Sequence, residues 1–265
     1  MMDLHNHSSF SLDSKSPMEE NVKSAIEKKL DYIAITDHLD LISPDNDYRD
    51  ILDIEGYFKE HFKLKEKYSE EIEILSAIEA GMDENLSESY EDILEDRGYD
   101  FIIGSIHSIK GEDLIEGNLY RRYKTDDFYK LYYSHMQKMV EENSFFNVLG
   151  HIDYIDRYFP NKEEILPIEN YFEYIKPMFK SLIDRFKGIE INTASFRKGL
   201  DYYHPKTKAL QLYKSLGGEI ITLGSDGHVS EDIGFRVYDA IDMLKEEGFS
   251  KVYIFKKGKP IEIEI

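Results

Sequence analysis

The sequence contains no cysteine and no tryptophan, and it has few basic residues for its size. The absence of cysteine excludes disulfides, thiolate metal ligands and cysteine nucleophiles, and it suits a reducing compartment. With 33 Lys and Arg against 53 Asp and Glu, the net charge is −20. Such a field repels phosphate backbones and anionic membranes, so we expect neither nucleic acid nor a membrane as a partner.

Long hydrophobic runs are also missing. No stretch approaches the roughly 18 apolar residues that cross a bilayer, and the N-terminus passes directly into polar residues, which leaves no room for a signal peptide. We therefore expect a cytoplasmic protein. The 265 residues, 41% of them hydrophobic, are enough for a full core, and no linker, repeat or low-complexity tract divides them. A single domain over 1–265 is the predicted organisation.

Short apolar runs of strand length alternate with segments of helical periodicity, which predicts βα units around a parallel sheet. The resulting seven strand and helix pairs favour an α/β fold, a closed or nearly closed β/α barrel, with a terminal strand pair left over at 252–255 and 261–265. The barrel strands are predicted at 2–4, 32–36, 72–78, 101–106, 147–150, 188–192 and 219–224. The later helices are predicted near 126–142, 168–186, 205–216 and 231–247.

Two earlier helices have their own signals. Ser16 is predicted to cap the first helix, with Pro17 in its first turn and Glu19 completing a capping box. The second helix is predicted from an apolar stripe of Ile54, Tyr57, Phe58, Phe62 and Leu64. Between the first two strands and this stripe, residues 40–55 have the composition of a loop at the barrel mouth.

Histidine placement is the most informative feature. Six of the nine histidines lie at or just beyond the C-terminal end of a predicted strand, and in a parallel barrel those ends share the face where catalytic groups gather. Asp37, Glu79 and Asp226 lie at the same ends. The six are His5, His7, His38, His107, His151 and His228.

Imidazole nitrogen and carboxylate oxygen are the ligands of zinc, iron or manganese, so this face predicts a hydrolytic metal site. His5 and His7 straddle one residue of an extended segment, and both side chains can therefore reach one ion. Asp226 and His228 could reach one ion together, or two neighbouring ions if the strand has begun to turn. Taken singly, Glu79 could be a solvated strand end, and His107 or His151 a core histidine.

As a set, these residues resemble the PHP superfamily, the polymerase and histidinol phosphatase domain, and within it the histidinol-phosphate phosphatases. The resemblance runs from residue 3 to residue 228 and is specific for the superfamily. It rests on 3–8 (DLHNHS), 36–38 (TDH), Glu79, 104–107 (GSIH), 150–153 (GHID), 190–193 (EINT) and 224–228 (GSDGH). For the subfamily it rests on Asn192, Thr193, Arg197, Lys198 and Arg157.

The resemblance implies a distorted, TIM-like (β/α)7 barrel that holds three divalent metal ions, whether manganese, zinc or iron. The implied ligands are His5, His7, Glu79 and Asp226 for the first ion, Glu79, His107 and His151 for the second, and Asp13, His38 and His228 for the third. Asp13 stands where some relatives have histidine, and it could equally be a helix-entry residue. A hydroxide bridging the first two ions would attack phosphorus, with Glu79, Asp226 and His228 as the expected catalytic residues.

Local positive charge must offset the net charge if a phosphate monoester is to bind. Arg157 and Arg197 are the predicted phosphate-binding residues, since guanidinium binds phosphate oxygens in a bidentate way; the alternative for each is a surface ion pair. His204 could add a hydrogen bond to phosphate, or it could have a structural role at the helix entry before Pro205. Contacts to the rest of the substrate are expected among Asp40, Asp45, Asp47 and Tyr120. His61 and His135 are expected at the surface or in helix packing.

The function implied by the resemblance is hydrolysis of the small molecule L-histidinol phosphate to L-histidinol and phosphate, a step of histidine biosynthesis. The alternative enzyme is a PHP phosphatase of other or broad substrate range, acting on sugar phosphates, nucleotides or phosphotyrosine. A nuclease is disfavoured because the only basic strip is Arg121, Arg122 and Lys124. A non-catalytic binding module is disfavoured because such domains lose ligands, and here the full set is present.

Overall fold

The structure is a computed structural model that describes residues 1–41, 52–95, 97–114 and 119–265. Within these ranges most strands are short, and each is followed by a helix or a loop that returns the chain to the next strand. The strands are β1 (Met2–Asp3), β2 (Tyr32–Ile35), β3 (His38–Leu39), β4 (Glu73–Gly81), β5 (Phe101–Ser105), β6 (Ser108–Ile109), β7 (Glu112–Asp113), β8 (Val148–Leu149), β9 (Gly188–Asn192), β10 (Ile221–Gly224), β11 (Lys251–Lys256) and β12 (Lys259–Glu264).

The helices follow the predicted segments closely, with two short additions, α3 (Ser87–Leu94) and α4 (Leu119–Arg122). Each buries a single side chain, Tyr90 in α3 and Leu119 in α4, and one buried position gives no periodic signal. No helix in the described ranges is both long and apolar enough to cross a membrane. The helices are α1 (Met18–Glu27), α2 (Ile54–Lys67), α3 (Ser87–Leu94), α4 (Leu119–Arg122), α5 (Thr125–Glu142), α6 (Phe172–Asp184), α7 (Thr207–Ser215) and α8 (Val237–Glu246).

Seven parallel strands form the barrel in the order β1, β2, β4, β5, β8, β9 and β10. The two ends of this order meet, because the Leu4 N–H donates to the Leu223 carbonyl at 2.8 Å. β3 pairs with the far end of β4, beyond the point where β2 stops. The predicted distorted, TIM-like barrel is therefore confirmed, and all seven carboxyl ends lie at one rim.

The barrel is held by apolar burial on both faces of its strands. In β4 every residue after Glu73 is buried, as expected of a parallel strand that side chains cover on both sides. The antiparallel hairpin β11–β12 covers the opposite end from the rim, where Phe255 stacks on Phe101 at the start of β5. The rim is thus left for polar side chains.

Two local predictions are wrong. α1 begins at Met18 without a side-chain cap, because Ser16 Oγ donates instead to Asn21 Oδ1 at 2.6 Å, and Asn21 Nδ2 in turn donates to the His7 carbonyl at 2.8 Å. In α2, Phe62 is 61% exposed and His61 is buried in its place. The buried face of α2 follows the spacing of Tyr57, His61 and Leu64, which passes through a histidine.

Candidate active site

The histidine pair of the first strand opens the site. After β1 the chain stays extended, with Asn6 bridged to Gly227, so His5 and His7 lie on one side with their ring centroids 5.2 Å apart. Asn6 points the other way and donates to the Ala34 carbonyl at 2.7 Å. The predicted clasp geometry of the two imidazoles is therefore present.

Glu79, near the end of β4, is the centre of the cluster and is 1% exposed. One of its oxygens, Oε1, lies 3.2 Å from His107 Nε2 and 2.8 Å from His151 Nε2. The other, Oε2, lies 3.2 Å from His5 Nε2 and 3.5 Å from His7 Nε2. His38 Nδ1 also lies 3.2 Å from Oε2. The two carboxylate oxygens thus face different sets of imidazoles, as a carboxylate shared by two cations would.

A turn after β10 directs two further predicted ligands to different places. Asp226 has a left-handed backbone with φ of 53°, and its N–H donates to the His5 carbonyl at 2.6 Å. Its Oδ1 lies 3.6 Å from His7 Nε2, whereas His228 Nε2 lies 2.9 Å from Asp13 Oδ2. Because the strand has already turned, Asp226 and His228 point toward two neighbouring places where an ion could bind rather than toward a single one.

Asp13 and His38 complete the rim. Asp13 Oδ2 lies 3.7 Å from His38 Nε2, and His38 Nδ1 lies 3.2 Å from Glu79 Oε2. The rings of His38 and His228 both stack on His7, at 4.2 and 4.1 Å. All nine side chains predicted as metal ligands are therefore brought together at the rim.

A second layer of polar groups orients the imidazoles. His5 Nδ1 donates to Glu190 Oε1 at 2.6 Å, and His107 Nδ1 donates to Asp40 Oδ2 at 2.9 Å. His7 Nδ1 donates to Ser11 Oγ at 3.2 Å, and that hydroxyl donates to Asp37. With each Nδ1 bonded to an acceptor, each Nε2 faces Glu79, which is the usual arrangement of metal-bound histidine.

The electrostatics keep the central carboxylates ionised. Burial alone would raise the pKa of Glu79, but His5 and His107 outweigh it and hold that pKa well below its ordinary value. Burial opposes ionisation of Asp226 in the same way, and Arg157 and His5 reverse it, so its pKa is also well below the ordinary value. Both groups are therefore ready to bind a cation at neutral pH.

The residues present fit divalent metal ions. His5 Nε2 and His7 Nε2 are fully buried and have no hydrogen-bond partner among the described residues, although carboxylate oxygens lie near them. A buried polar atom without a partner is costly, and a cation would satisfy both lone pairs. Four groups of three donors lie within 4.8 Å of one another here: His5, His7 and Glu79; His5, His151 and Asp226; His38, Glu79 and His107; and His7, His38 and His228.

Arg157 and His204, both predicted to bind substrate, contact each other beside the rim. Arg157 Nε donates to His204 Nε2 at 3.1 Å, and its Nη1 donates to Asp226 Oδ2 at 3.0 Å. His204 is fully buried, and its other nitrogen, Nδ1, pairs with Asp153. Arg157 therefore stands between the cluster and His204, and both ring nitrogens of His204 are engaged by protein.

Arg197 lies on the same side. Its Nη2 donates to the carbonyls of Ser225 and Asp226 at 2.7 and 2.8 Å, and its Nε pairs with Asp232 at 3.1 Å. Its Nη1 is buried without a hydrogen-bond partner among the described residues. Neither Arg157 nor Arg197 is the isolated surface ion pair of the alternative interpretation, since each also bonds to the site.

Two connected cavities open at the rim. The inner one, of about 90 Å³, is lined by seven of the nine predicted ligands, all except His5 and His7, together with Asp40, Asp113 and Tyr154. The outer one, of about 640 Å³, is lined by Arg157, Arg197, Lys198 and Tyr158 among others. Asp13, Tyr154, Asp226 and His228 line both. The cluster of histidines and carboxylates at the rim thus adjoins a cavity with three basic side chains, in a protein whose net charge is −20.

The remaining candidate contacts to substrate have mixed placements. Asp40 is bonded to His107. Tyr120 packs edge-on against Phe159 and is absent from the residues lining the two cavities in the described part of the chain. Asp45 and Asp47 lie outside the described residues. His61 and His135 are buried in α2 and α5, where they pack rather than face the rim.

Glu190 is a residue of the site to which the sequence assigned no role. It is buried in β9, accepts from His5 Nδ1, and also accepts from the His151 N–H at 3.0 Å. Its position in the 190–193 motif was the one available signal, because its partners are 185 and 39 residues away in sequence.

Comparison with known proteins supports this description. The family model of the PHP domain matches residues 3–194. A Clostridium acetobutylicum protein with the name "Probable histidinol-phosphatase" is 31% identical over 97% of this chain and 98% of its own length. The histidinol-phosphatase of Lactococcus lactis is 28% identical over 97% of this chain and 95% of its own length.

A solved structure extends the match to three dimensions. The crystal structure of the Lactococcus lactis histidinol phosphate phosphatase, complexed with zinc, L-histidinol and phosphate, superposes with a TM-score of 0.87 at 28% identity, covering 98% of both chains. The family model covers seven of the nine residues predicted as metal ligands, and the solved structure covers nearly the whole chain. The chain belongs to the PHP domain family.

Proposed function

We propose that this protein is a metal-dependent phosphomonoesterase that hydrolyses L-histidinol phosphate to L-histidinol and phosphate. The observation that carries the proposal is the buried Glu79 carboxylate, shared between two pairs of imidazoles beside a cavity lined by arginines. The similarity in sequence and fold to an enzyme crystallised with zinc, L-histidinol and phosphate supports the choice of substrate.

We assign three divalent ions to the rim. His5, His7 and Asp226 would hold the first with Glu79, and His107 and His151 would hold the second with the same carboxylate. The split of the Glu79 oxygens between the two histidine pairs supports a shared ligand. Asp13, His38 and His228 would hold the third, in keeping with the approach of both imidazoles to Asp13 Oδ2. Manganese, zinc and iron all suit this oxygen and nitrogen set.

Bound divalent cations would offset the charge of the phosphate dianion and lower the pKa of a water toward neutrality. The chain's own groups prepare that chemistry. Glu79 and Asp226 stay ionised despite burial, and Glu190 and Asp40 hold the imidazoles of His5 and His107 in orientation. His228, assigned to the third ion, lines both cavities and so faces the outer cavity as well as the metal site.

We assign the outer cavity to the substrate. Arg157 and Arg197 would bind phosphoryl oxygens there, since guanidinium matches them in geometry and both keep N–H groups beyond those already bonded. His204 would contribute through Arg157, because both of its ring nitrogens are bonded to protein. The volume of about 640 Å³ leaves room for a leaving group larger than phosphate.

The test is phosphate release by protein loaded with manganese or zinc. The substrates are L-histidinol phosphate, p-nitrophenyl phosphate, a dinucleotide ester and a phosphotyrosine peptide, with chelator-treated protein as the control. We expect kcat/KM for histidinol phosphate to exceed the others by about tenfold or more, or 1.4 kcal/mol of discrimination. Equal rates on all monoesters would make the protein a general phosphatase, and release without metal would refute the proposal.

A further inference from the structure

Asp153 belongs to the 150–153 motif and is neither an assigned metal ligand nor an assigned substrate contact. It is fully buried and precedes a short 3₁₀ helix, Tyr154–Tyr158, which carries Arg157. Its Oδ1 accepts from His204 Nδ1, and its Oδ2 accepts from the Lys206 N–H at 2.7 Å. Both oxygens are therefore occupied by donors from the segment after β9.

The contact between Arg157 and His204 fixes where the imidazole proton lies. Arg157 Nε donates to His204 Nε2 at 3.1 Å. A guanidinium has no acceptor and stays protonated in proteins, so His204 Nε2 must carry a lone pair. The ring proton then sits on Nδ1, where the Asp153 carboxylate accepts it. A carboxylate on one nitrogen is the ordinary means of selecting the tautomer of a histidine.

The guanidinium held in this way has a defined set of free donors. Its Nη1 donates to Asp226 Oδ2 at 3.0 Å, and its Nη2 donates to Asn192 Oδ1 at 2.9 Å. The ring of Tyr154 packs 4.5 Å from its Cζ. Of five N–H groups on a guanidinium, the three bonds to protein leave two, on a side chain that lines the outer cavity.

We propose that Asp153 is a positioning residue for Arg157. It holds His204 in the tautomer whose Nε2 accepts from Arg157, and this bond fixes the guanidinium so that its two remaining N–H groups meet an anionic oxygen in the outer cavity. The proposal rests on the proposed function, in which Arg157 binds the phosphoryl group. It adds a residue that acts without touching the substrate.

The same 3₁₀ helix supplies a matched control. Side chains three residues apart eclipse each other in a 3₁₀ helix, and Asp156 is the buried aspartate three residues after Asp153. Its carboxylate is bonded to Tyr129, to Tyr202 at 2.7 Å and to Lys206 Nζ at 2.6 Å. Asp156→Asn therefore disturbs an equally buried carboxylate of the same segment without removing a partner of His204.

The decisive variant is Asp153→Asn in zinc-loaded protein. Asparagine has one acceptor oxygen, which cannot serve both the His204 Nδ1–H and the Lys206 N–H. If its NH₂ group faces Nδ1, the ring proton moves to Nε2 and opposes Arg157. We expect KM for histidinol phosphate and the Kd for inorganic phosphate to rise by about 10- to 100-fold, the range for a misaligned hydrogen bond to a charged group. Bound zinc should be unchanged, and Asp156→Asn should keep the wild-type phosphate affinity.

Two further measurements separate positioning from general support of the fold. In His204→Gln, the amide oxygen can accept from Arg157 without help from a carboxylate, so adding Asp153→Asn should not weaken phosphate binding further. Nitrogen-15 spectra should place the His204 proton on Nδ1 in the wild type and shift it toward Nε2 in Asp153→Asn. The proposal would be overturned by a His204 proton on Nε2 in the wild type, or by additive losses of phosphate affinity in the double variant. Unchanged phosphate affinity or loss of zinc in Asp153→Asn would also overturn it.

Phosphate titration and the nitrogen-15 spectra need no turnover. If the wild type fails to hydrolyse histidinol phosphate while these two readouts behave as expected, the proposed function fails and the role of Asp153 stands.

Discussion

Replacing Glu190 with glutamine should weaken metal binding while leaving the protein folded. Glu190 is buried and accepts three hydrogen bonds, from His5 Nδ1 at 2.6 Å, from the His151 N–H at 3.0 Å and from Asn192 Nδ2 at 3.2 Å. Burial raises its pKa, but His5 more than offsets this, and the pKa lies below its ordinary value. The group is therefore an ionised acceptor at neutral pH. Glutamine keeps one acceptor oxygen and brings an NH₂ group to face an N–H donor.

The magnitude follows from the bonds that are lost. A hydrogen bond to a charged group contributes about 1.5–3 kcal/mol, and leaving a buried donor without an acceptor costs about 1–3 kcal/mol. Because His5 Nδ1 would lose its preferred acceptor, its Nε2 would become a poorer ligand, and outer-layer changes of this kind lower metal affinity by about 10- to 100-fold. We expect that loss for zinc, together with a decrease of about 1–3 kcal/mol in the free energy of unfolding.

The assay is competition for zinc against a chelator of known affinity, with elemental analysis of the dialysed protein. Asp83→Asn is the matched control, because Asp83 is a buried carboxylate that accepts from Ser108 Oγ at 2.6 Å and from the Gly111 N–H at 2.7 Å rather than from His5. It should lower stability and keep zinc affinity. A folded Glu190→Gln protein that binds zinc as tightly as the wild type would refute the orienting role of Glu190.

Three further predictions concern the rim, the outer cavity and the fold. Asp226→Ala should abolish phosphate release and lower zinc content, because Asp226 faces His5 and His7 and is an assigned ligand; both are measured on dialysed protein. Arg197→Ala should raise KM by about 10- to 100-fold with zinc content retained, since its Nη1, which has no hydrogen-bond partner among the described residues, is the group available to the substrate. Burial lowers the pKa of His61 to about 4, so the free energy of unfolding should fall by up to about 3 kcal/mol as pH drops from 6.5 toward 4. In His61→Phe this part of the pH dependence, measured by urea unfolding of zinc-loaded protein, should disappear.

Each of these has a clear contrary result. Retained zinc and turnover in Asp226→Ala would remove Asp226 from the ligands. Zinc loss in Arg197→Ala would mean that its bonds to the Ser225 and Asp226 carbonyls support the metal site rather than the substrate. For His61 the sign is fixed, because the unfolded chain binds the proton more readily than the folded one between pH 4 and 6.5. An identical pH dependence in His61→Phe would contradict it.

The sequence predicted the barrel because each strand is a short apolar run. It missed the short helices α3 and α4 and assigned the wrong buried face to α2, because none of the three has a clean apolar stripe. α3 has one buried side chain, Tyr90, and α2 buries His61 where the pattern favoured Phe62. The first cap failed because Ser16 bonds within a network that reaches the His7 carbonyl. Such bonds depend on tertiary contacts, which local rules do not contain.

The site divides in the same way. Histidines and carboxylates at strand ends were predictable, because parallel strands bring those ends to one rim whatever the distances between them. The partners of the imidazoles were not, since Glu190 and Asp153 are recognisable only once His5 and His204 lie against them. The sequence likewise does not predict which oxygen of Glu79 faces which histidines, because tertiary contacts set the orientation of the carboxylate. The assignment of individual residues to metal or substrate stays a prediction.

Anomalous diffraction from crystals grown with manganese tests the central claim most directly. We predict three peaks at the rim, with one on each side of the Glu79 carboxylate and a third beside Asp13. Peaks elsewhere, or none at the rim despite full manganese content, would contradict the binding of divalent ions by the rim histidines and carboxylates, on which the proposed function depends.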